Sequence, residues 1–205
     1  MANIITVARF PLLFLIAILL TLPSAGARAA CVPLVLVLIL MDSIDGLVAR
    51  SRKEESLLGS VLDIMADRSV ELVLWVVYAH LRLVPLAIPI IFIVRGTVVD
   101  SLRAIGVGAG KTPFGSTTSR LGRFLVGSPW MRSSYGIAKA LAFTLLALTA
   151  TLQLYAASGQ VLNQTAQTTH TVALALSWIA TAFCIVRGMP VIIESFARLA
   201  QKNAD

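Results

Sequence analysis

Long apolar runs separated by short polar breaks divide the chain into six segments, at about 5–22, 30–49, 57–80, 83–105, 135–155 and 172–192. Each is close to the roughly 20 residues that a helix needs to cross a bilayer. Pro and Gly occur inside several of them, which membrane helices tolerate because neighbouring helices satisfy the freed backbone groups. The pattern predicts an all-α, polytopic membrane protein with six transmembrane helices. The more mixed stretch 194–202 is expected to form a short amphipathic helix on the membrane surface. No repeat or low-complexity tract interrupts the chain, so one integral domain over 1–205 is expected.

Composition supports lipid as the main solvent. Of 205 residues, 58% are hydrophobic and 13% charged, with a mean hydropathy of +0.88; a soluble domain carries about 25% charge. The net charge of +7 does not point to nucleic acid, since no basic stretch is interleaved with aromatic residues. It follows instead from the loops. Arg50, Arg52 and Lys53 follow the second segment, Lys111, Arg120, Arg123 and Arg132 follow the fourth, and Arg198 and Lys202 lie in the tail. The opposite side has Arg28 and Arg82. Positive-inside counting therefore puts both termini and both basic loops on the cytoplasmic face of the cell (inner) membrane. The first segment, with Arg9 before it and small residues after it, also has features of a cleavable leader. Cleavage would leave five spans and reverse the basic loops, so the segment is read as a span. Cys31 and Cys184 are read as small apolar fillers, and His80 and His170 have no partner at metal-ligand spacing.

The chemistry concentrates in one place. The chain has ten acidic residues, and Asp42, Asp45, Asp63 and Asp67 fall at the ends of two consecutive apolar segments. An ionisable group at such a depth is a functional hypothesis by default. Asp42 and Asp45 are spaced i,i+3 and Asp63 and Asp67 i,i+4, so each pair shares a helix face, about 4.5 and about 6 Å apart along the axis. The short loop between the helices makes them antiparallel neighbours, and the two faces can converge. Four carboxylates brought together repel unless cations neutralise them, and oxygen-only ligands favour Mg²⁺, Mn²⁺ or Ca²⁺. A buried ion network with Arg50, Arg52, Lys53 and Arg68 would satisfy the same acids without a metal. Gly46 and Gly59, beside the acids, leave room for a ligand, and Arg50 offers a guanidinium for phosphate.

The stretch from Asp42 to Asp67 resembles, position for position, the signature of the CDP-alcohol phosphotransferase family: D-x-x-D-G-x-x-A-R, eight residues, then G-x-x-x-D-x-x-x-D. Asp42, Asp45, Gly46, Ala49, Arg50, Gly59, Asp63 and Asp67 supply all its fixed positions. Asn3, Thr6 and Arg9 also look like the N-x-x-T-x-x-R that precedes the first span in this family. The resemblance implies a membrane enzyme of phospholipid biosynthesis that transfers a phosphatidyl group from CDP-diacylglycerol to a small polar alcohol and releases CMP. By the same carry-over, Asp42, Asp45, Asp63 and Asp67 hold two Mg²⁺ or Mn²⁺ ions. Gly46, Ala49, Arg50 and Gly59 line the CDP pocket, Asp67 is the catalytic base, and the enzyme is a homodimer.

The acceptor is written more faintly. Arg95 and Arg103 in the fourth segment, Lys111 and Arg120 in the long loop, and Lys139 in the fifth segment form a pocket for an acceptor phosphate if they converge. Arg95, Arg103 and Gly110-Lys111-Thr112 loosely resemble phosphatidylglycerophosphate synthases, which favours glycerol 3-phosphate; inositol phosphate or another polar alcohol is the alternative. Asp100 and Glu71 are expected to pair with nearby arginines. A divalent-cation transporter would also place acids in helices, but it gives no role to Gly46, Ala49, Arg50 and Gly59, and Arg50 would hinder cation entry.

Overall fold

The computed structural model describes residues 2–52, 57–108 and 128–202, and all regular structure in them is helical. The elements are α1 (Ala2–Thr21), α2 (Ala25–Arg52), α3 (Leu57–His80), α4 (Ala87–Gly108), α5 (Pro129–Ala157) and α6 (Asn163–Lys202). The expected segments are all present as helices, with longer second, fifth and sixth helices. Residues 194–202 continue α6 without a break, so the separate surface helix expected there is not formed.

Four helices contain stretches long and apolar enough to cross a membrane: 4–21, 25–42, 130–157 and 163–197. The other two fall short because of their charges. Every 18-residue window of α3 includes Asp63, Asp67, Arg68 and Glu71, and α4 carries Arg95, Asp100 and Arg103. The two helices that fall below that measure are those rich in candidate chemistry.

Local signals set the helix ends. Ser24 and Ser128 cap α2 and α5, their Oγ atoms accepting from the amides of Ala27 and Met131, and Pro129 fills the first-turn position where no amide is needed. Helix α5 ends on Gly159 at φ 74°, with the Gln160 amide donating to Tyr155 O at 2.9 Å. Helix α3 ends in the same way, but Arg82 holds the left-handed position at φ 58° while the Leu83 amide reaches Tyr78 O at 3.0 Å. The Leu83 carbonyl is 2.8 Å from His170 Nε2, which gives that histidine a structural partner.

The helices group into two units. The first comprises Met1–Leu86 and Ala140–Leu176. In it α1 packs on α2 and α3, burying Thr6, Arg9, Leu13, Ile16 and Leu20 while Ile4, Val7, Phe14 and Ile18 face outward. That three-four spacing is a single helical stripe. On α3, Trp75 meets the Phe143 ring edge-on at 4.7 Å, and the Tyr78 hydroxyl donates to Phe143 O at 2.7 Å. Ala142, Ala147 and Ala150 keep this face of α5 small enough for close approach. Arg28 spans a helix end, donating to Leu22 O and Ala150 O.

The second unit comprises Ala87–Lys139 and Ser177–Asp205. Val99 of α4 and Val191 of α6 form its buried apolar contact, with Ile192 against them.

Candidate active site

The buried stripes of the first three helices run directly into the acids. On α2 the series Cys31, Val35, Leu38 is buried, and the next step of the same spacing is Asp42. On α3 Leu74, Val70 and Ala66 are buried, and Asp67 and Asp63 continue that side of the helix toward its start. On α1 the stripe Leu20, Ile16, Leu13 ends at Arg9 and Thr6. Packing that is apolar along its length therefore brings polar groups together at one end.

At that end Arg9 is the organising cation. Its Nη1 lies 2.8 Å from Asp42 Oδ1 and 3.8 Å from Asp63 Oδ1, and its Nη2 donates to Asp67 Oδ1 at 3.0 Å. Arg9 is 2% exposed, whereas Asp42, Asp63 and Asp67 are 39%, 53% and 56% exposed. The guanidinium enters from the buried side, and the carboxylates stay open on the other. Asp42 also feels the like charges of Asp67 and Asp63, so the cluster depends on a cation to hold together.

Three of the four expected acids are thus brought together. The side chains of Asp45, Gly46, Ala49 and Arg50 lie outside the described residues, although their backbone belongs to α2. Gly59 is described and lies near the start of α3. For Asp42 and Asp67, the Arg50, Arg52 and Lys53 side chains that the alternative ion network would use lie outside the described residues. Among the described residues their cation is Arg9, and Arg68 pairs instead with the buried Glu71 at 2.9 Å, as expected for Glu71.

Among the described residues no three acid, His or Cys side chains form a ready metal cage. The geometry explains why: the carboxylate oxygens are spaced around a guanidinium, whereas Mg²⁺ needs oxygens at about 2.0–2.1 Å. The donor set itself is all oxygen and already surrounds a cation, so it is chemically suited to a hard dication.

The cationic residues expected to bind an acceptor phosphate divide likewise. Lys111, Arg120 and the Arg103 side chain lie outside the described residues. Arg95 and Lys139 are described, and both lie in the second unit with Arg132 and with Arg187, which the sequence does not single out. Arg187 of α6 stacks over the Tyr135 ring at 5.2 Å, and Lys139 Nζ lies 4.6 Å from the same ring. Arg95 and Arg132 are close enough to Arg187 to interact electrostatically with it. Arg95 lies flat on Gly188, where an added Cβ would stand 2.8 Å from its Nε, and that Nε is buried without a hydrogen-bond partner among the described residues. Such a cluster of cations is chemically suited to an anion.

The sequence shows Arg9 as a motif residue but not as the partner of the acids, and it does not single out Arg187. Both are arginines at positions where a charge in an apolar helix needs a reason, and that rule, applied to every cation, would have found them.

Comparison with curated proteins gave no match. Comparison with protein families matched one, the CDP-alcohol phosphatidyltransferases, over residues 1–193. That match takes in α1 with Arg9 as well as the acid-bearing helices, and the chain belongs to this family of membrane enzymes, which are typically metal-dependent and transfer a phosphatidyl group from a CDP-alcohol to an alcohol.

Proposed function

We propose that the chain is a metal-dependent phosphatidyltransferase that uses CDP-diacylglycerol and a phosphorylated alcohol, with glycerol 3-phosphate favoured, and releases CMP. The observation that carries this reading is the convergence of Asp42, Asp63 and Asp67 on one cation. Asp45, one helical step from Asp42 on α2, completes the set of four, and together they would hold two Mg²⁺ or Mn²⁺ ions. When bound, such ions neutralise the diphosphate and stabilise charge on the attacking and leaving oxygens.

The protein's own residues then have distinct tasks. Arg50, with Gly46, Ala49 and Gly59, would bind and orient the CDP moiety. Asp67, more than half exposed, would take the proton of the acceptor hydroxyl. The acceptor oxygen forms a bond to the phosphorus that carries the diacylglycerol, and the bond from that phosphorus to the bridging oxygen breaks. The proton passes to the Asp67 carboxylate, and CMP leaves with the bridging oxygen.

The preference for a phosphorylated acceptor is supported by the cations of the second unit, Arg95, Lys139 and Arg187. A six-span topology, with both termini and the acids at the cytoplasmic face of the inner membrane, is part of the reading, as are a single catalytic domain over 1–205 and a homodimer. The six-span count includes α3 and α4, whose charges face protein rather than lipid in this view.

The test is CMP release by the purified protein with CDP-diacylglycerol, Mg²⁺ and a panel of glycerol 3-phosphate, inositol phosphate, inositol, serine and ethanolamine. Glycerol 3-phosphate should turn over fastest, and Asp67→Asn should lower that rate about 10²–10⁴-fold while CDP-lipid binding persists. A preference for an unphosphorylated alcohol would overturn the acceptor reading, and near-normal turnover by Asp67→Asn the assignment of the base.

A further inference from the structure

Arg9 is the most deeply buried cation among the described residues, and its position raises a question of occupancy. Its guanidinium nitrogens engage the Oδ1 atoms of Asp42, Asp63 and Asp67. Those oxygens belong to the carboxylates that would bind dications in the proposed reaction. A guanidinium and a dication cannot both take the same face of one oxygen, and a unit charge a few ångströms from a double charge is repelled by it. The charges also do not balance with Arg9 alone: one guanidinium faces the three carboxylates of Asp42, Asp63 and Asp67, an excess of negative charge among these groups.

We propose that Arg9 is a resident counter-ion, which holds the acid cluster together before dications arrive and is displaced from the Oδ1 atoms when they bind. The inference rests on the metal-dependent reading above. The two sides of the cluster suit such an exchange. Arg9 comes from the buried stripe of α1, and the acids are open on the other side, so an arriving ion need not pass the guanidinium. Thr6, one turn earlier on α1 and also buried, marks a polar end to the stripe into which a displaced guanidinium can withdraw. Arg9 then sets both the stability of the metal-free protein and the threshold at which metal binds, without touching the reacting atoms.

The experiment measures metal binding rather than turnover. Full-length protein in detergent is titrated with Mn²⁺, the free ion is followed by electron paramagnetic resonance, and thermal unfolding is recorded with and without a chelator. Arg9→Gln removes the competing charge, so it should bind Mn²⁺ about tenfold tighter than the wild type. Its chelated form should melt well below chelated wild type, and Mn²⁺ should restore most of the difference. Arg9→Lys keeps the charge but loses the fork that bridges three acids, so its affinity should fall between the two; this variant decides the matter if Arg9→Gln does not fold. Mn²⁺ binding no tighter than wild type, or chelation that lowers the melting temperature of wild type and variant equally, would overturn the proposal and leave the metal-dependent reading intact. A wild-type chain that takes up no Mn²⁺ would overturn both.

Discussion

The acid cluster on α1–α3 and the cation cluster on α4–α6 both gather like charges on otherwise apolar helices, yet they are assembled in opposite ways. The acids lie within one short stretch of sequence on two consecutive helices, and helical spacing alone puts them on shared faces. The cations come from Arg95, Arg132, Lys139 and Arg187, on three helices far apart in the chain, and only packing gathers them. Their means of tolerating like charge also differ. The acids are bridged by a buried guanidinium of opposite sign, whereas the cations rest on the Tyr135 ring and on the backbone at Gly188. A cluster compensated by a counter-ion is set up to exchange that ion. A cluster of cations gathered beside a π face is chemically suited to bind an anion.

The comparison breaks first at Asp63. Asparagine there keeps the size and removes the charge, and the contact of Asp63 to Arg9 is the longest of the three, at 3.8 Å. Folding should change little, while turnover of CDP-diacylglycerol should fall by more than about 10³-fold, because several kcal/mol of charge stabilisation in the transition state are lost. A melting curve beside a CMP-release assay checks both halves. Substantial activity would mean that the cluster is a structural ion network after all.

The cation cluster should respond differently. Arg187→Gln removes one charge-assisted contact to a phosphate, and the KM for the phosphorylated acceptor should rise about 10–100-fold with a smaller change in kcat. Gly188→Ala tests the same site without touching a charge. The new Cβ would stand 2.8 Å from Arg95 Nε and 3.0 Å from its Cγ, and a flexible side chain yields more easily than backbone, so the fold should persist and Arg95 should move. A rise of a few-fold in the same KM, with the KM for CDP-diacylglycerol unchanged, is expected from steady-state kinetics. Equal effects on both substrates would show that the cluster is not reserved for the acceptor.

This contrast also explains what could be read in the chain. The six helices followed from apolar runs near 20 residues, and the convergence of Asp42, Asp63 and Asp67 followed from i,i+4 spacing and a short connection. Arg9 was visible as a motif residue but not as the partner of three acids, because nothing local says how far an arginine on α1 reaches across α2 and α3. Arg187 and Gly188 are adjacent, but Tyr135 and Arg95, which they meet, lie far off in sequence on α5 and α4, and the association exists only once these helices pack against α6. The uninterrupted α6 was hidden for a related reason: Pro190 and the polar residues after it suggest an end, yet the helix runs on to Lys202.

The smallest expected effect supplies the contrast's control, a change in stability that touches neither cluster's charges. Helices α3 and α5 end with the same backbone geometry, but α5 uses Gly159 and α3 uses Arg82 in the left-handed position. A side chain there meets a steric cost that glycine avoids. The Arg82 side chain is exposed, so little packing is lost on its removal. Arg82→Gly should therefore stabilise the protein by about 0.5–1 kcal/mol, offset in part by glycine's greater freedom in the unfolded chain. The melting temperature should rise slightly, and the KM for either substrate should not move. A fall in melting temperature would mean that the arginine makes a contact worth more than the strain it imposes.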